Sequence, residues 1–219
     1  NNTAVGYQAG YSNTTGIVNA YFGVSAGYSN STGSSNAGFG FYALQANTAN
    51  ENSGFGYYAL AGNTTGTANT ALGSYALRNN TTASNNTAVG LQAGYSNTSG
   101  SVTALGYLAL YTNSTGLYNT AIGQQALQYS TGNSNTAVGY ASAQKITSGR
   151  VTAVGMQSAT NSTTGVINAF GYNALVANTT GTQNDAFGDQ ALTVNTTGSY
   201  NVAVGDSALY SNTTASYNT

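Results

Sequence analysis

The sequence predicts an all-β chain, a parallel β-solenoid of thirteen coils, and three observations predict it. A glycine preceded by a bulky apolar residue recurs at positions 6, 23, 40, 56, 73, 90, 106, 123, 139, 155, 171, 188 and 205, so repeats of 16 or 17 residues run through all 219 residues. Helical and propeller repeat units are longer, about 20 to 50 residues, whereas one solenoid coil fits this period. The composition is also right for coils closed by turns: 29 Gly, 29 Asn and 33 Thr make up 91 residues. Finally, every coil keeps the same residue classes at the same offset from its glycine, as stacking in register requires.

Each coil begins with a strand ending at that glycine. The residue just before it, offset −1, is Val5, Phe22, Phe39, Phe55, Leu72, Val89, Leu105, Ile122, Val138, Val154, Phe170, Phe187 and Val204. Offset −2 is Ala or Gly everywhere except Tyr21. Neighbouring strand residues face opposite ways, and a strand apolar on both sides is buried on both. The bulky column is therefore expected inside the coil and the small column against a second layer or chain. Gly38 and Gly54 precede Phe39 and Phe55, which suggests shared packing space.

After the glycine corner, offset +3 is Ala in eleven repeats and Ser142 or Ser158 in the others. Offset +4 is Leu in eight, and where it is Gly10, Gly27 or Gly94 a tyrosine follows (Tyr11, Tyr28, Tyr95), as if to fill the same gap. A second short strand is expected here. Helix competes, but runs of four or five residues between Gly and Asn are too short for a stable one. The closing Asn-Thr-Thr-Gly has turn chemistry and is expected as an exposed edge.

Asn stands at offset −4 in ten repeats: Asn2, Asn19, Asn36, Asn52, Asn69, Asn86, Asn119, Asn135, Asn184 and Asn201. Stacked in register, these form a ladder in which each amide bonds the next; a row of amides open to a ligand is the competing reading.

Composition excludes much chemistry. Only Arg78, Lys145, Arg150, Glu51, Asp185, Asp189 and Asp206 carry charge, and His, Cys, Trp and Pro are missing. No Cys–His pair, Ser–His–Asp triad or zinc site can form. Neither an enzyme nor a cofactor or metal protein is expected. Three cations cannot neutralise a run of phosphates, so no nucleic-acid partner is expected, and no apolar run approaches membrane-spanning length, about 18 residues.

Some features remain as site candidates. Asn-x-Ser/Thr sequons at Asn13, Asn30, Asn63, Asn80, Asn97, Asn113, Asn161, Asn178, Asn195 and Asn212 recur seven residues after the glycine, six at Asn161. If the turn is an exposed edge, they are glycosylation candidates along it; otherwise the turn merely spells a sequon. Asp189 and Asp206 share one offset in adjacent coils and would either share an oxygen-liganded cation or tolerate repulsion at the surface. Lys145, Ile146 and Arg150 mark the ninth repeat as a recognition spot or as drift in a tolerant turn. Tyr7, Tyr57, Tyr107, Tyr140 and Tyr172 follow the glycine directly and either pack on neighbouring coils or stack on sugar rings.

The segments N-T-A-V-G-Y-Q-A (Asn2 to Ala9), N-T-A-I-G-Q-Q-A (Asn119 to Ala126) and N-T-A-V-G-Y-A-S (Asn135 to Ser142) resemble the head repeats of YadA-type trimeric autotransporter adhesins, and equally the repeat arrays of tail-fibre-like bacterial and phage proteins. That resemblance implies a left-handed parallel β-roll, three chains around an axis, on a cell or virion surface. The expected function is a structural fibre or adhesin segment serving as a rigid spacer or adhesive surface. Partners would be copies of the chain and host-surface or matrix glycans, with no membrane contact. The alternative is a phage-fibre-like domain that binds or cleaves carbohydrate. An ice-binding face of Thr columns is disfavoured here because Thr at offset −3 alternates with the bulky column and is expected inside. Residues 1–219 read as one continuous array, a window on a longer protein.

Overall fold

The computed structural model describes every residue from Asn1 to Thr219. These residues form two compact units, Asn1–Thr115 and Gly116–Thr219. Each is an all-β parallel solenoid, and neither contains an α-helix. The first holds β1 (Thr3–Val5), β2 (Ala20–Phe22), β3 (Ala37–Phe39), β4 (Ser53–Phe55), β5 (Thr70–Leu72), β6 (Thr87–Val89) and β7 (Val102–Leu105). The second holds β8 (Asn119–Ile122), β9 (Thr136–Val138), β10 (Arg150–Val154), β11 (Val166–Phe170), β12 (Asn184–Phe187) and β13 (Val202–Val204). Pairing is parallel and follows the glycine offset: Val5 lies beside Phe22 and Phe22 beside Phe39, and in the second unit Val154 lies beside Phe170 and Phe170 beside Phe187.

The expected sides of the strand are reversed. The small column at offset −2 is inside the coil, where Ala71, Ala88, Ala121 and Ala137 are fully buried, while the bulky column faces out. The lumen explains this. Leu44, Leu60, Leu77, Leu110, Leu127, Leu175 and Leu192 reach into it from the opposite wall and are also fully buried. A coil of 16 or 17 residues leaves room for one large side chain per level, and interiors are close-packed. Leucine takes that room, so the strand supplies alanine or glycine.

The second coil shows the rule from its exception. Tyr21 points inward at 2% exposure, and the facing wall retreats to glycine. A Cβ on Gly27 would fall 2.4 Å from the Tyr21 ring, and one on Gly10 would fall 3.2 Å from it. Gly38 likewise makes room for Tyr21 and Leu44, and Gly54 for Leu44. Compensation thus runs across the lumen. Phe39, Phe55, Tyr11 and Tyr28 lie on the outside and fill no interior gap.

The segment after the corner is not a second strand. In the second coil, Ala26 N–H donates to Gly23 O, Tyr28 N–H to Ser25 O and Asn30 N–H to Gly27 O, three overlapping turns. Offsets +2 and +4 both have left-handed φ, 54° at Ser25 and 62° at Gly27. Leucines at +4 adopt it too, with Leu44 at 56° and Leu60 at 52°. Such a conformation costs a non-glycine residue about 1–3 kcal/mol, comparable to the roughly 1.5–3 kcal/mol from burying a leucine side chain. The chain accepts the strain because +4 faces the lumen. The corner glycine has no such latitude: φ is 132° at Gly23, and a Cβ there would sit 2.5 Å from the Gly40 carbonyl oxygen.

Candidate functional site

Two rails of asparagine run inside the coils. At offset −4 the expected ladder is present: Asn36 N–H donates to Asn19 Oδ1 at 2.9 Å, and Asn52 N–H to Asn36 Oδ1 at 2.9 Å. The side-chain amide then reaches the next turn, as Asn19 Nδ2 does to Gly33 O at 2.8 Å. From Asn19 to Asn201 these amides are buried and engaged, and only Asn2 is exposed, so the row is not open to a ligand.

The second rail is formed by the sequon residues, and their expected exposure is corrected. Asn30, Asn63, Asn80, Asn97, Asn113, Asn178 and Asn195 are fully buried, and Asn13 and Asn212 are half-buried. Asn63 Nδ2 donates to Asn47 Oδ1 at 2.6 Å and to Gly66 O at 2.8 Å, and Asn80 Nδ2 to Asn63 Oδ1 at 2.8 Å. A glycan on Nδ2 would remove one of these donors and need space inside the lumen, so in the folded coil these positions are structural. Asn161 stands one place earlier and outside the rail, accepting from Lys145 Nζ at 2.8 Å, while its neighbour Ser162 is fully buried at the rail position. The exposed part of the turn is the next column, where Thr48 and Thr64 lie. Sequence reasoning missed this rail, though one signal was present: Asn47 keeps the offset where no sequon is spelled.

The surface left for interaction is the outer side of the strands. In the first unit Val5, Phe22, Leu72 and Leu105 are exposed and Phe39, Phe55 and Val89 half-buried; in the second Ile122, Phe187 and Val204 are exposed and Val138, Val154 and Phe170 half-buried. Exposure is 50% at Leu72 and rises to 54% at Val5 and 72% at Val204. The rings stack along the rows, Phe22 on Phe39 at 4.7 Å, Phe39 on Phe55 at 5.0 Å and Phe170 on Phe187 at 5.0 Å. Thr3, Thr70, Thr87, Thr103 and Thr136 share this outer face, which overturns their expected interior position. Stripes of apolar side chains beside hydroxyls, with no charge at offset −1, make a continuous surface in each unit.

The other candidates are placed as follows. Tyr7, Tyr57, Tyr107, Tyr140 and Tyr172 are exposed, and Tyr57 also stacks on Phe41 at 5.4 Å. Asp189 Oδ1 accepts from Tyr172 N–H at 3.1 Å, and Asp206 Oδ1 from Ser207 Oγ at 3.0 Å, so the two carboxylates serve different donors. In the ninth repeat Ile146 is fully buried on the inner rail, and Arg150, exposed, edges a groove of about 390 Å³ with Thr131, Asn133, Thr147 and Val166. Inside the second coil, the Tyr21 hydroxyl ends near Asn30 and Asn36 without hydrogen-bond geometry to either, and burial pushes its pKa from 10.0 up to about 12. No family model, curated protein or solved structure matches the chain.

Proposed function

We propose that the chain is a structural interaction segment of an extracellular or virion-surface fibre or adhesin, built of left-handed coils, in which three copies lie side by side with their strand faces toward a common axis. The observation that carries this reading is the outward apolar column. Contiguous apolar surface on a soluble protein marks an interaction site, and here thirteen of thirteen offset −1 residues are bulky and apolar although the core does not use them. In-register stacking makes each stripe continuous, so identical stripes of further copies match it level by level. Closed cyclic symmetry places all of them on one axis and leaves none exposed. The reading assigns the chain no catalytic role and no cofactor; its partners are its own copies.

Sedimentation analysis of the full chain tests it, with Phe39→Asp as the variant. The unmodified chain is expected to run as a trimer. Phe39→Asp is expected to keep its coils folded, because the side chain points outward, and to weaken association at least tenfold. A monomeric unmodified chain removes the proposal. In that case the outward Thr rows favour the ice-facing reading, which thermal hysteresis measures directly.

A further inference from the structure

The first unit carries a second surface, away from the strand face, along offsets +2 and +5. Long side chains fill the +5 column at Gln45, Arg78 and Tyr95, but between Gln45 and Arg78 the residue is Ala61, followed by Gly62. The missing side chain leaves a notch of about 160 Å³ floored by Ala61 and Gly62 and walled by Gln45, Tyr58, Arg78 and Asn79. Arg78 is held there by aromatic rings: its guanidinium carbon lies 5.2 Å from the Tyr58 centroid, 5.5 Å from Tyr75 and 5.8 Å from Tyr95, and Nη1 donates to the Tyr95 hydroxyl at 2.8 Å. It is the sole cationic side chain in Asn1–Thr115, where the one carboxylate, Glu51, is not among its contacts.

A guanidinium has five N–H donors in a fixed fork suited to a carboxylate. The tyrosines fix its orientation and leave part of that fork unused beside the notch. The Tyr58 ring, set between Tyr42 at 5.0 Å and Tyr75 at 5.8 Å between centroids, gives the notch an apolar wall, and the amides of Gln45 and Asn79 offer donors and acceptors for hydroxyls. A single cation cannot hold a polyphosphate backbone, whereas one carboxylate needs only one.

We propose that this notch binds an acidic saccharide, with a pyranose carboxylate on Arg78, its ring against Tyr58 and its hydroxyls on Gln45 and Asn79. This goes beyond the structural reading and uses other columns of the coil. The test is titration of the full chain with a glucuronate-containing tetrasaccharide and with its carboxyl-reduced counterpart, followed by tyrosine fluorescence and NMR shifts. The acidic sugar is expected to bind at least tenfold more tightly than the reduced one. Ala61→Gln, which gives this coil the side chain of Gln45 and so fills the notch, is expected to lower that affinity at least tenfold without changing oligomeric state. Arg78→Gln is expected to abolish the preference for the acid. Equal affinity for the two sugars, no binding of either, or undiminished binding by Ala61→Gln overturns the proposal.

Discussion

The coils anchored at Gly40 to Gly90 and those anchored at Gly155 and Gly171 solve one problem in two ways. In the first group offset −4 is Asn36, Asn52, Asn69 and Asn86, and each backbone N–H donates to the side-chain oxygen of the asparagine one coil earlier, at 2.9 to 3.0 Å. Their strands are three residues long. In the second group offset −4 is Val151 and Ile167, both buried. With no amide on either, the backbone ladder extends over Arg150 beside Val166 and Val151 beside Ile167, and the strands run to five residues. Strand length in these coils is therefore set by whether one side chain supplies the acceptor that a neighbouring peptide otherwise supplies.

The sharpest break of that contrast is Asn52→Val, which gives an amide coil the residue of an aliphatic one. Asn52 Nδ2 donates to Asn47 Oδ1 and Gly66 O, and its Oδ1 accepts from Asn69 N–H and Nδ2. Four hydrogen bonds are lost and Asn69 N–H keeps no partner, while Asn47 Oδ1 and Gly66 O still accept from Asn63 Nδ2 and Asn69 Nδ2 still donates to Ala83 O. At about 1 kcal/mol net per bond a loss of roughly 3–5 kcal/mol is expected, read as faster amide exchange in the flanking coils.

The interior of the second coil gives the next effect. Because the folded-state pKa of Tyr21 lies above its unfolded value, its contribution is intact below pH 10 and is lost as pH rises toward about 12, roughly 2–3 kcal/mol in all. Denaturation curves of Tyr21→Phe should lack that part of the alkaline decline, and its stability at neutral pH should be no lower.

Ala121→Leu puts a second large side chain into a filled level of the second unit and is expected to cost about 1–3 kcal/mol. Ile122→Val, one residue on but outside, should change coil stability by under about 0.5 kcal/mol. Of the two offset −4 exchanges, the smaller effect is expected for Val151→Asn. Asn135 Oδ1 already accepts from Val151 N–H at 2.9 Å, so the new amide joins the end of an existing rail, and a loss under about 2 kcal/mol in urea titration is expected. If it equals that of Asn52→Val, the two kinds of coil are not interchangeable solutions.

Period, strand position, parallel register and the offset −4 ladder were legible because they depend on recurrence, and recurrence is visible in a sequence. The sides of the strand were not. Alternation shows that Ala121 and Ile122 face opposite ways, but the choice of inner side depends on lumen width, which Leu127 on the far wall helps to set. Nor was the run of turns legible, since leucine is a poor signal for left-handed backbone; only Gly10, Gly27 and Gly94 at the same offset hinted at it. The buried sequon rail was hidden by a coincidence of spelling, because Asn-Thr-Thr-Gly has the same letters whether its amide points in or out.

The left-handed residues bear on how the folded chain looks to polarised light. Offsets +2 and +4 have positive φ while the alanine between them does not, as at Tyr42, Ala43 and Leu44, so local handedness reverses from residue to residue. Far-ultraviolet dichroism sums that handedness over the backbone, and here successive contributions oppose one another while each regular strand adds only three to five residues. The expected spectrum is weak and close to that of an unfolded chain, even though the interior amides exchange slowly. Protection from exchange, not ellipticity, is the measure of order for this fold.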